Sequence, residues 1–208
     1  MNFESEAKEL RETLAAEAPI YGLELSEDER ERLSSYYQLV LTWNARLHLV
    51  APTSPNHFAT RHILESLLML EYLPENAKIA DVGSGGGLPI IPCLVVRPDL
   101  RAWLVESSKK KTIFLREALN QTASSSQAQL LAERFENIDP PEVDFVSSRA
   151  LERFEKVFPK LLQWIPTSTL LLFGGEGLAQ QIRKSNLVCT TVSIPHSERR
   201  FLFVLTRP

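Results

Sequence analysis

Hydrophobic residues in the first third of the chain recur at helical spacing. Residues Glu4 to Ala18 predict one helix. Ser26 predicts the start of a second, because Glu29 three residues later completes a capping box. The apolar positions that follow recur every three or four residues and give this helix one apolar face: Leu33, Tyr36, Tyr37, Val40 and Leu41. A third helix is predicted from His57 to Tyr72, so that residues 1–74 form an N-terminal helical extension.

From Lys78 onward, short apolar runs alternate with helical patterns. Strands are predicted near 78–82, 101–105, 128–132, 143–147, 168–173, 187–193 and 200–206, and helices are predicted to start near 88, 109, 151 and 176. This alternation indicates an α/β fold with a mostly parallel seven-stranded sheet covered on both faces. Only a short turn separates the last two strands, which predicts an antiparallel C-terminal hairpin. Residues 75–208 are therefore predicted to form one domain.

Composition and charge narrow the function classes. The 208 residues are 44% hydrophobic and 24% charged, as in a globular protein, and the acidic start of the chain is unlike a signal peptide. No apolar run approaches the roughly 20 residues of a membrane span, so we expect a cytoplasmic protein without membrane contact. The net charge of −3 divides into −6 for residues 1–74 and +3 for residues 75–208, a weak argument for an RNA partner. Cys93 and Cys189, the two cysteines, form no metal motif, and we expect both to be buried and no metal to be bound.

The most informative stretch is the glycine-rich turn from Asp81 to Leu88. A dinucleotide fingerprint counted from Gly83 would need glycine at position 88, where Leu88 stands. The spacing G-x-G-x-G through Gly83, Gly85 and Gly87 instead matches the cofactor turn of class I methyltransferases, which have a Rossmann-like sheet. It predicts S-adenosylmethionine as cofactor. The alternative is a tight turn that binds nothing.

An acid follows the next predicted strand. Glu106 lies 25 residues after Asp81, where nucleotide-binding sheets often carry a carboxylate that accepts hydrogen bonds from ribose hydroxyls. We therefore add Glu106 to the predicted cofactor site.

Several polar residues leave alternatives open. Lys109, Lys110, Lys111 and Arg116 form either a solvated helix face or a patch that contacts phosphates. The segment Asp139 to Glu142 is like the motif that holds an exocyclic amino group, but it precedes the fourth strand, whereas that motif follows it. After the fourth strand come Ser147, Ser148 and Arg149, so the sequence predicts neither a catalytic acid nor a cysteine nucleophile there.

The chain resembles the bacterial small-subunit (16S) ribosomal RNA guanine-N7 methyltransferases, historically called the glucose-inhibited division protein B family. The likeness runs from about Trp43 to Arg207 through Trp43-Asn44, Arg61-His62-Ile63-Leu64-Glu65-Ser66, Asp81-Val82-Gly83, Gly87-Leu88-Pro89, Arg97-Pro98, Ser147 to Ala150 and Glu198-Arg199. The chain departs from the family at His48-Leu49-Val50, at Ile90 after the proline, and at Gly174-Gly175, where a lysine-glycine pair is usual.

The resemblance implies methyl transfer to a ribosomal guanine, with small-subunit RNA or the ribosomal particle as partner. It also implies that the cofactor is lined by Gly83, Leu88, Phe135, Glu136 and Arg149. From sequence alone Phe135 is typical of a core residue and Glu136 of a surface residue, and Arg149 serves the cofactor, the RNA or a surface salt bridge. Arg61 and His62 are candidate RNA contacts, with a packed structural role as the alternative for His62.

Guanine N7 carries a lone pair and no proton, so the transfer needs no general base, and we predict catalysis by positioning, without a catalytic residue. Two alternatives stay open: a methyltransferase for a small molecule or protein, and a non-catalytic RNA-binding assembly protein of the same fold.

Overall fold

The computed structural model describes residues 3–149 and 154–208, beginning with a group of helices. Helix α1 spans Phe3–Glu17 and α2 spans Glu27–Leu47. The capping box predicted at the start of α2 is confirmed, because Ser26 Oγ accepts from the Glu29 amide at 3.3 Å and Glu29 Oε2 accepts from the Ser26 amide at 2.7 Å.

The third predicted helix is not one regular helix. It begins two residues early, as α3 (Pro55–Phe58), and continues as a π-helical segment (Ala59–Leu64), a short helix α4 (Glu65–Leu67) and a 3-10 turn (Leu68–Tyr72). A π-helical turn carries one more residue than an α-helical turn, and such turns are frequent at functional sites. Arg61 and His62 lie in this segment.

The predicted α/β fold is confirmed by a seven-stranded sheet. Its strands are β1 (Lys78–Val82), β2 (Arg101–Val105), β3 (Ala128–Leu131), β4 (Phe145–Arg149), β5 (Thr169–Gly174), β6 (Val188–Ser193) and β7 (Phe201–Thr206). The order is β3-β2-β1-β4-β5-β7-β6, in which β1 to β5 are parallel. Strand β7 runs antiparallel to both β5 and β6, as the predicted hairpin requires. The connecting helices are α5 (Ile90–Val96), α6 (Lys109–Gln121), α7 (Phe154–Trp164) and α8 (Glu176–Arg183).

Some predicted boundaries need correction. Strand β4 lies two residues later than predicted, because Ser147 and Ser148 are buried inside the sheet rather than marking its end. Helix α5 begins at Ile90 instead of residue 88, so Pro89 precedes the helix rather than occupying its first turn. The helix start predicted near 151 and the motif residue Ala150 lie outside the described residues.

Two hydrophobic clusters pack against the sheet. One joins the N-terminal helices to α5 and α6, with Leu33, Phe58 and Ile91 among its fully buried members, and the other joins the sheet to α7 and α8. Cys93 belongs to the first cluster. The expectation that Cys189 is also buried is wrong, because Cys189 lies on the edge strand β6, most of which is exposed. None of the helices in the described part of the chain is long and apolar enough to cross a membrane.

Candidate functional site

The glycine-rich turn follows β1 and is tied to the end of β2. Gly83, Gly85 and Gly87 have φ angles of 75°, 51° and 83°, in the left-handed region that favours glycine. The amides of Gly83 and Ser84 both donate to the carbonyl of Val105, at 2.9 and 3.2 Å. These bonds hold the backbone of the turn open at the carboxyl edge of the sheet, where ligands bind in folds of this kind.

Glu106 braces the turn from the neighbouring strand. Its Oε2 accepts from the Gly85 amide at 2.9 Å and its Oε1 accepts from the Ser108 amide at 2.7 Å, with 8% of the residue exposed. Because a carboxylate offers about four acceptor positions, Glu106 retains capacity for two ligand hydroxyls. It therefore joins the turn to the start of α6 and also faces the space beside them.

A cleft of about 300 Å³ opens at this edge of the sheet. Its walls include Gly83, Glu106, Lys111, Phe135, Glu136 and Val157. The structure thus brings together four of the predicted cofactor residues, from the ends of three strands. Phe135 supplies an apolar wall and packs edge-on against Trp164, with the ring centroids 5.6 Å apart. Glu136 is exposed, with one oxygen 3.4 Å from Lys160 Nζ.

The cleft is not lined by the other three predicted cofactor residues, Gly85, Leu88 and Arg149. Leu88 is buried in the core between the turn and α5. The Arg149 side chain is 12% exposed and lies 3.4 Å from the Glu65 carboxylate, which also pairs with Arg200 at 3.2 Å. Arg149 Nη2 donates to the carbonyl of Arg61 at 2.7 Å. The salt bridge considered as an alternative for Arg149 is therefore present, but it is buried rather than at the surface. A contact of Arg149 with cofactor or RNA stays a prediction.

This ionic cluster joins three segments that are far apart in the chain. Glu65 comes from the Arg61 to Ser66 motif, Arg149 from the end of β4, and Arg200 from the turn before β7. The Glu65 side chain is only 3% exposed, so burial raises the pKa of its carboxyl, while the positive charge of Arg149 opposes that rise. Glu65 and Arg200 were not predicted from the sequence as partners of Arg149. The one available signal was a charged residue, Glu65, between the apolar residues Leu64 and Leu67 of the third predicted helix.

His62 packs beside the cluster. Its ring lies 5.0 Å from that of Phe58, and its Nδ1 lies 3.4 Å from Arg149 Nη2. Burial and the positive charge of Arg149 lower the pKa of His62 to about 3. The ring is therefore neutral at pH 7, and an RNA contact by His62 would be a stacking or hydrogen-bonding contact rather than an ion pair.

The basic residues of α6 lie on the other side of the glycine turn. Lys109 and Lys110 are exposed in the first turn of the helix, whereas Lys111 is half-buried and lines the cleft. Of the three lysines, Lys111 therefore reaches the predicted cofactor cleft. Positive charge at a helix N-terminus opposes the helix dipole, so helix stability does not account for these lysines. Arg116 is exposed farther along α6, beside a shallow depression.

Asp81 lies beneath the turn and was not predicted as a site residue. It is 1% exposed, and its Oδ1 accepts from Ser147 Oγ at 2.7 Å. Burial raises its pKa to about 7, against the opposing effect of hydrogen bonds from Ser147 and Ser84. Ser148 Oγ donates to the Val82 carbonyl at 2.8 Å. The available signal in the sequence was the pair of polar residues, Ser147 and Ser148, next to the apolar residues of the fourth strand.

A second depression, of about 680 Å³, lies between α1, α3 and the turn before β7. It is larger but shallow, and it contains neither the glycine turn nor the strand ends. Within residues 3–149 and 154–208, no three His, Cys, Asp or Glu side chains converge as metal ligands. We therefore place the candidate site in the smaller cleft.

Solved structures with similar folds include methyltransferases. The chain aligns with an O-methyltransferase from Bacillus cereus in complex with SAH, with a TM-score of 0.57 and 17% identity, over 84% of this chain and 91% of that one. It also aligns with a SAM-dependent methyltransferase from Aquifex aeolicus, with a TM-score of 0.55 and 15% identity, over 68% and 89% of the two chains. At these identities the likeness shows the fold alone.

Sequence comparison identifies the family. A relative from Neisseria gonorrhoeae named ribosomal RNA small subunit methyltransferase G is 34% identical over 83% of this chain and 80% of its own length. A relative of the same name from Chromobacterium violaceum is 36% identical over 74% and 71% of the two chains. The GidB family profile, described as rRNA small subunit methyltransferase G, matches residues 29–203. The resemblance inferred from the motifs is thereby confirmed, and the chain belongs to the rRNA small subunit methyltransferase G family.

Proposed function

We propose that this protein transfers a methyl group from S-adenosylmethionine to N7 of a guanine in small-subunit ribosomal RNA. The observation that carries the proposal is the cleft in which Gly83, Glu106, Phe135 and Glu136 meet, in a chain that belongs to this family. Family membership favours ribosomal RNA over a small molecule or a protein as acceptor, and over a non-catalytic assembly role.

The residues of the cleft fit the parts of this cofactor. Glu106 presents carboxylate oxygens where ribose hydroxyls need acceptors, and Phe135 and Val157 present apolar surface for the purine ring. The backbone at Gly83 carries no side chain between the turn and the cleft. When bound, the cofactor supplies an electrophilic methyl group on a positively charged sulfur. A cleft of about 300 Å³ lies at the lower end of the range for small-molecule sites.

The protein's own contribution to the reaction is positioning. The guanine N7 lone pair attacks without losing a proton, so the site needs to align N7 with the methyl group rather than to remove a proton. The buried hydrogen bonds of Asp81, Ser147 and Ser148 keep the ends of β1 and β4 rigid beneath the turn. The described residues at the end of β4, Ser147 to Arg149, include neither an acid nor a cysteine.

Basic residues on both sides of the turn support an RNA acceptor. Lys109 and Lys110 extend from the β2 side, and Arg61, whose carbonyl accepts from Arg149, lies on the β4 side. RNA phosphates that contact both groups would be fixed across the carboxyl edge of the sheet, which would bring a base to the cleft.

The proposal is tested by incubating the purified protein with methyl-labelled S-adenosylmethionine. The acceptors are small-subunit particles from a bacterium that lacks this methyltransferase, RNA extracted from those particles, particles from the wild-type bacterium, and transfer RNA. We expect label only in the unmodified small-subunit acceptor. Borohydride and aniline treatment, which cleaves RNA at N7-methylguanine, should cut at the labelled site.

The outcomes separate the candidate functions. Labelling of a small molecule or a protein instead of the RNA would contradict the proposed acceptor. Failure to bind the cofactor, combined with binding to the particle, would favour the assembly protein. Label that resists aniline cleavage would refute N7 as the acceptor atom.

A further inference from the structure

The N-terminal helices and the loop that follows α2 contact the glycine turn at Gly86. The Tyr36 side chain reaches from α2, is fully buried, and donates a hydrogen bond from its hydroxyl to the Gly86 carbonyl. Leu49, in the loop after α2, lies so close that a Cβ built on Gly86 would be 3.3 Å from Leu49 Cβ. Gly86 is therefore in contact with α2 on one side and with the following loop on the other.

The loop that carries Leu49 is itself shaped by α2. Asn44 Nδ2 donates to the Val50 carbonyl at 3.0 Å, and Asn44 Oδ1 accepts from the Val50 amide at 3.0 Å. This pair of bonds closes the segment from His48 to Val50 into a fixed loop at the C-terminal end of α2. The Trp43-Asn44 motif thus acts on the glycine turn through Leu49. Neither the proposed cofactor contacts nor the proposed RNA contacts account for this arrangement.

We infer that Tyr36 is a positioning residue for the cofactor: together with Leu49 it holds the glycine turn in the conformation that binds S-adenosylmethionine. The inference rests on the proposed function. The physical reason is that the Gly86 carbonyl is buried and must be paired. Without the Tyr36 hydroxyl, the buried Gly86 carbonyl loses its partner, and rotating it toward another donor stabilises the chain. The same peptide unit carries the Gly87 amide, which donates to the Ser84 carbonyl at 2.6 Å, so the rotation breaks that bond and shifts the residues between them, including Gly85, whose amide donates to Glu106. Apparent affinity falls in proportion to the fraction of molecules in the competent conformation.

In this arrangement the N-terminal helical extension contributes to both proposed ligand sites. Its π-helical segment carries Arg61 and His62, the candidate RNA contacts, on the β4 side. Its second helix, α2, holds the glycine turn in the conformation that binds the cofactor. Because Tyr36 does not touch the acceptor, its loss should change the cofactor affinity and leave the methyl-transfer step at saturating cofactor nearly unchanged.

The test compares Tyr36→Phe with Tyr37→Phe. Tyr37 is the adjacent residue of α2, is 1% exposed, and packs on Phe58 with ring centroids 4.9 Å apart. Burial and the negative charges of Glu6 and Glu9, both on α1, raise the pKa of Tyr37 to about 12. Both variants lose one hydroxyl from a buried tyrosine of the same helix, which makes Tyr37→Phe a matched control for general loss of stability.

We expect Tyr36→Phe to weaken binding of S-adenosylhomocysteine in calorimetry, and to raise KM for S-adenosylmethionine, by about tenfold, with kcat changed less than twofold. Tyr37→Phe should stay within twofold of wild type in both measurements, at a temperature where denaturation curves show all three proteins folded. Asn44→Ala should raise the same KM through the loop, without altering Tyr36.

Equal cofactor affinity for Tyr36→Phe and Tyr37→Phe, with wild-type binding intact, would overturn this inference and leave the proposed function standing. A fall in kcat without a change in KM would also overturn it. A wild-type protein that binds neither compound would overturn the proposed function itself, and the inference with it.

Discussion

Replacing Glu106 by glutamine tests the proposed cofactor site at its most constrained residue. The carboxylate accepts from the amides of Gly85 and Ser108 at 2.9 and 2.7 Å, and it is the acceptor that the ribose hydroxyls would use. Glutamine keeps the shape and one acceptor oxygen. Its amide nitrogen, however, would face one of the two backbone N–H groups. Both are donors, so that hydrogen bond is lost.

The magnitude follows from the kind of bond that is lost. A hydrogen bond to a charged group contributes about 1.5–3 kcal/mol, and each 1.4 kcal/mol corresponds to a tenfold change in affinity. Loss of one such bond to the ribose therefore weakens cofactor binding by about 10- to 150-fold. Glu106→Ala should lie at or beyond the upper end of that range, because it also releases Gly85 and the start of α6.

Calorimetry with S-adenosylhomocysteine measures the effect, with Glu133→Gln as control. Glu133 lines the same cleft but is exposed, and its own contacts are to the Arg134 amide and the Asn137 side chain. We expect this control to bind within twofold of wild type. If Glu106→Gln bound as well as wild type, the assignment of Glu106 to the ribose would be refuted. If both variants lost the same affinity, the charge of the cleft rather than the Glu106 bonds would be responsible.

Three further predictions test the turn, the lysines and Asp81. Gly85→Val should abolish cofactor binding but leave a folded protein, because its φ of 51° strains a branched residue while the nearest atom to a new Cβ is 3.6 Å away; unchanged affinity in calorimetry would rule out the site. Replacing Lys109, Lys110 and Lys111 by glutamine should make RNA binding less dependent on salt. The slope of log affinity against log salt concentration should fall by about one unit per lost phosphate contact, and the loss of Lys111 should also weaken cofactor binding. An unaltered slope in titrations at several salt concentrations would assign the lysines to a solvated face. Because burial raises the pKa of Asp81 to about 7, folding retains a proton that the unfolded chain loses near pH 4, so its stabilising contribution is fully present below pH 4 and is lost as pH rises through 7. Asp81→Asn should remove that trend, so denaturation of both proteins from pH 4 to 8 should show the variant gaining stability relative to wild type as pH rises. The two proteins must be compared because His62, whose pKa is lowered to about 3, contributes the opposite trend between about pH 3 and 6.5. A stability difference independent of pH would contradict the reasoning.

Most of the fold, and the glycine turn and Glu106 of the candidate site, could be predicted from local sequence. The alternation of apolar runs and helical periods predicted all seven strands, and the short gap before the last strand predicted the antiparallel hairpin. The turn through Gly83 and Gly85 could be recognised because positive φ angles at fixed spacing are a property of a few adjacent residues. Glu106 could be placed because the carboxyl ends of parallel strands meet at one edge of the sheet.

Irregular elements and buried polar residues were predicted less well. The third helix contains a π-helical segment that apolar periodicity does not reveal. Ser147 and Ser148 resemble the end of a strand, yet both are buried because their hydroxyls bond to β1. A polar residue indicates the surface until its partner is known, and here the partner is 66 residues away in the chain.

The sequence by itself determined the order of the elements, the glycine-rich turn and the family, because each depends on adjacent residues or on fixed spacings. Only the tertiary structure decided which charges are paired and what supports the turn. Glu65, Arg149 and Arg200 form one buried cluster because the sheet order and the packing of the helices bring three distant segments together. Tyr36 reaches Gly86 for the same reason. Burial and pairing are properties of the packed elements, and the cost of an unpaired polar group in the interior selects partners that no local pattern specifies.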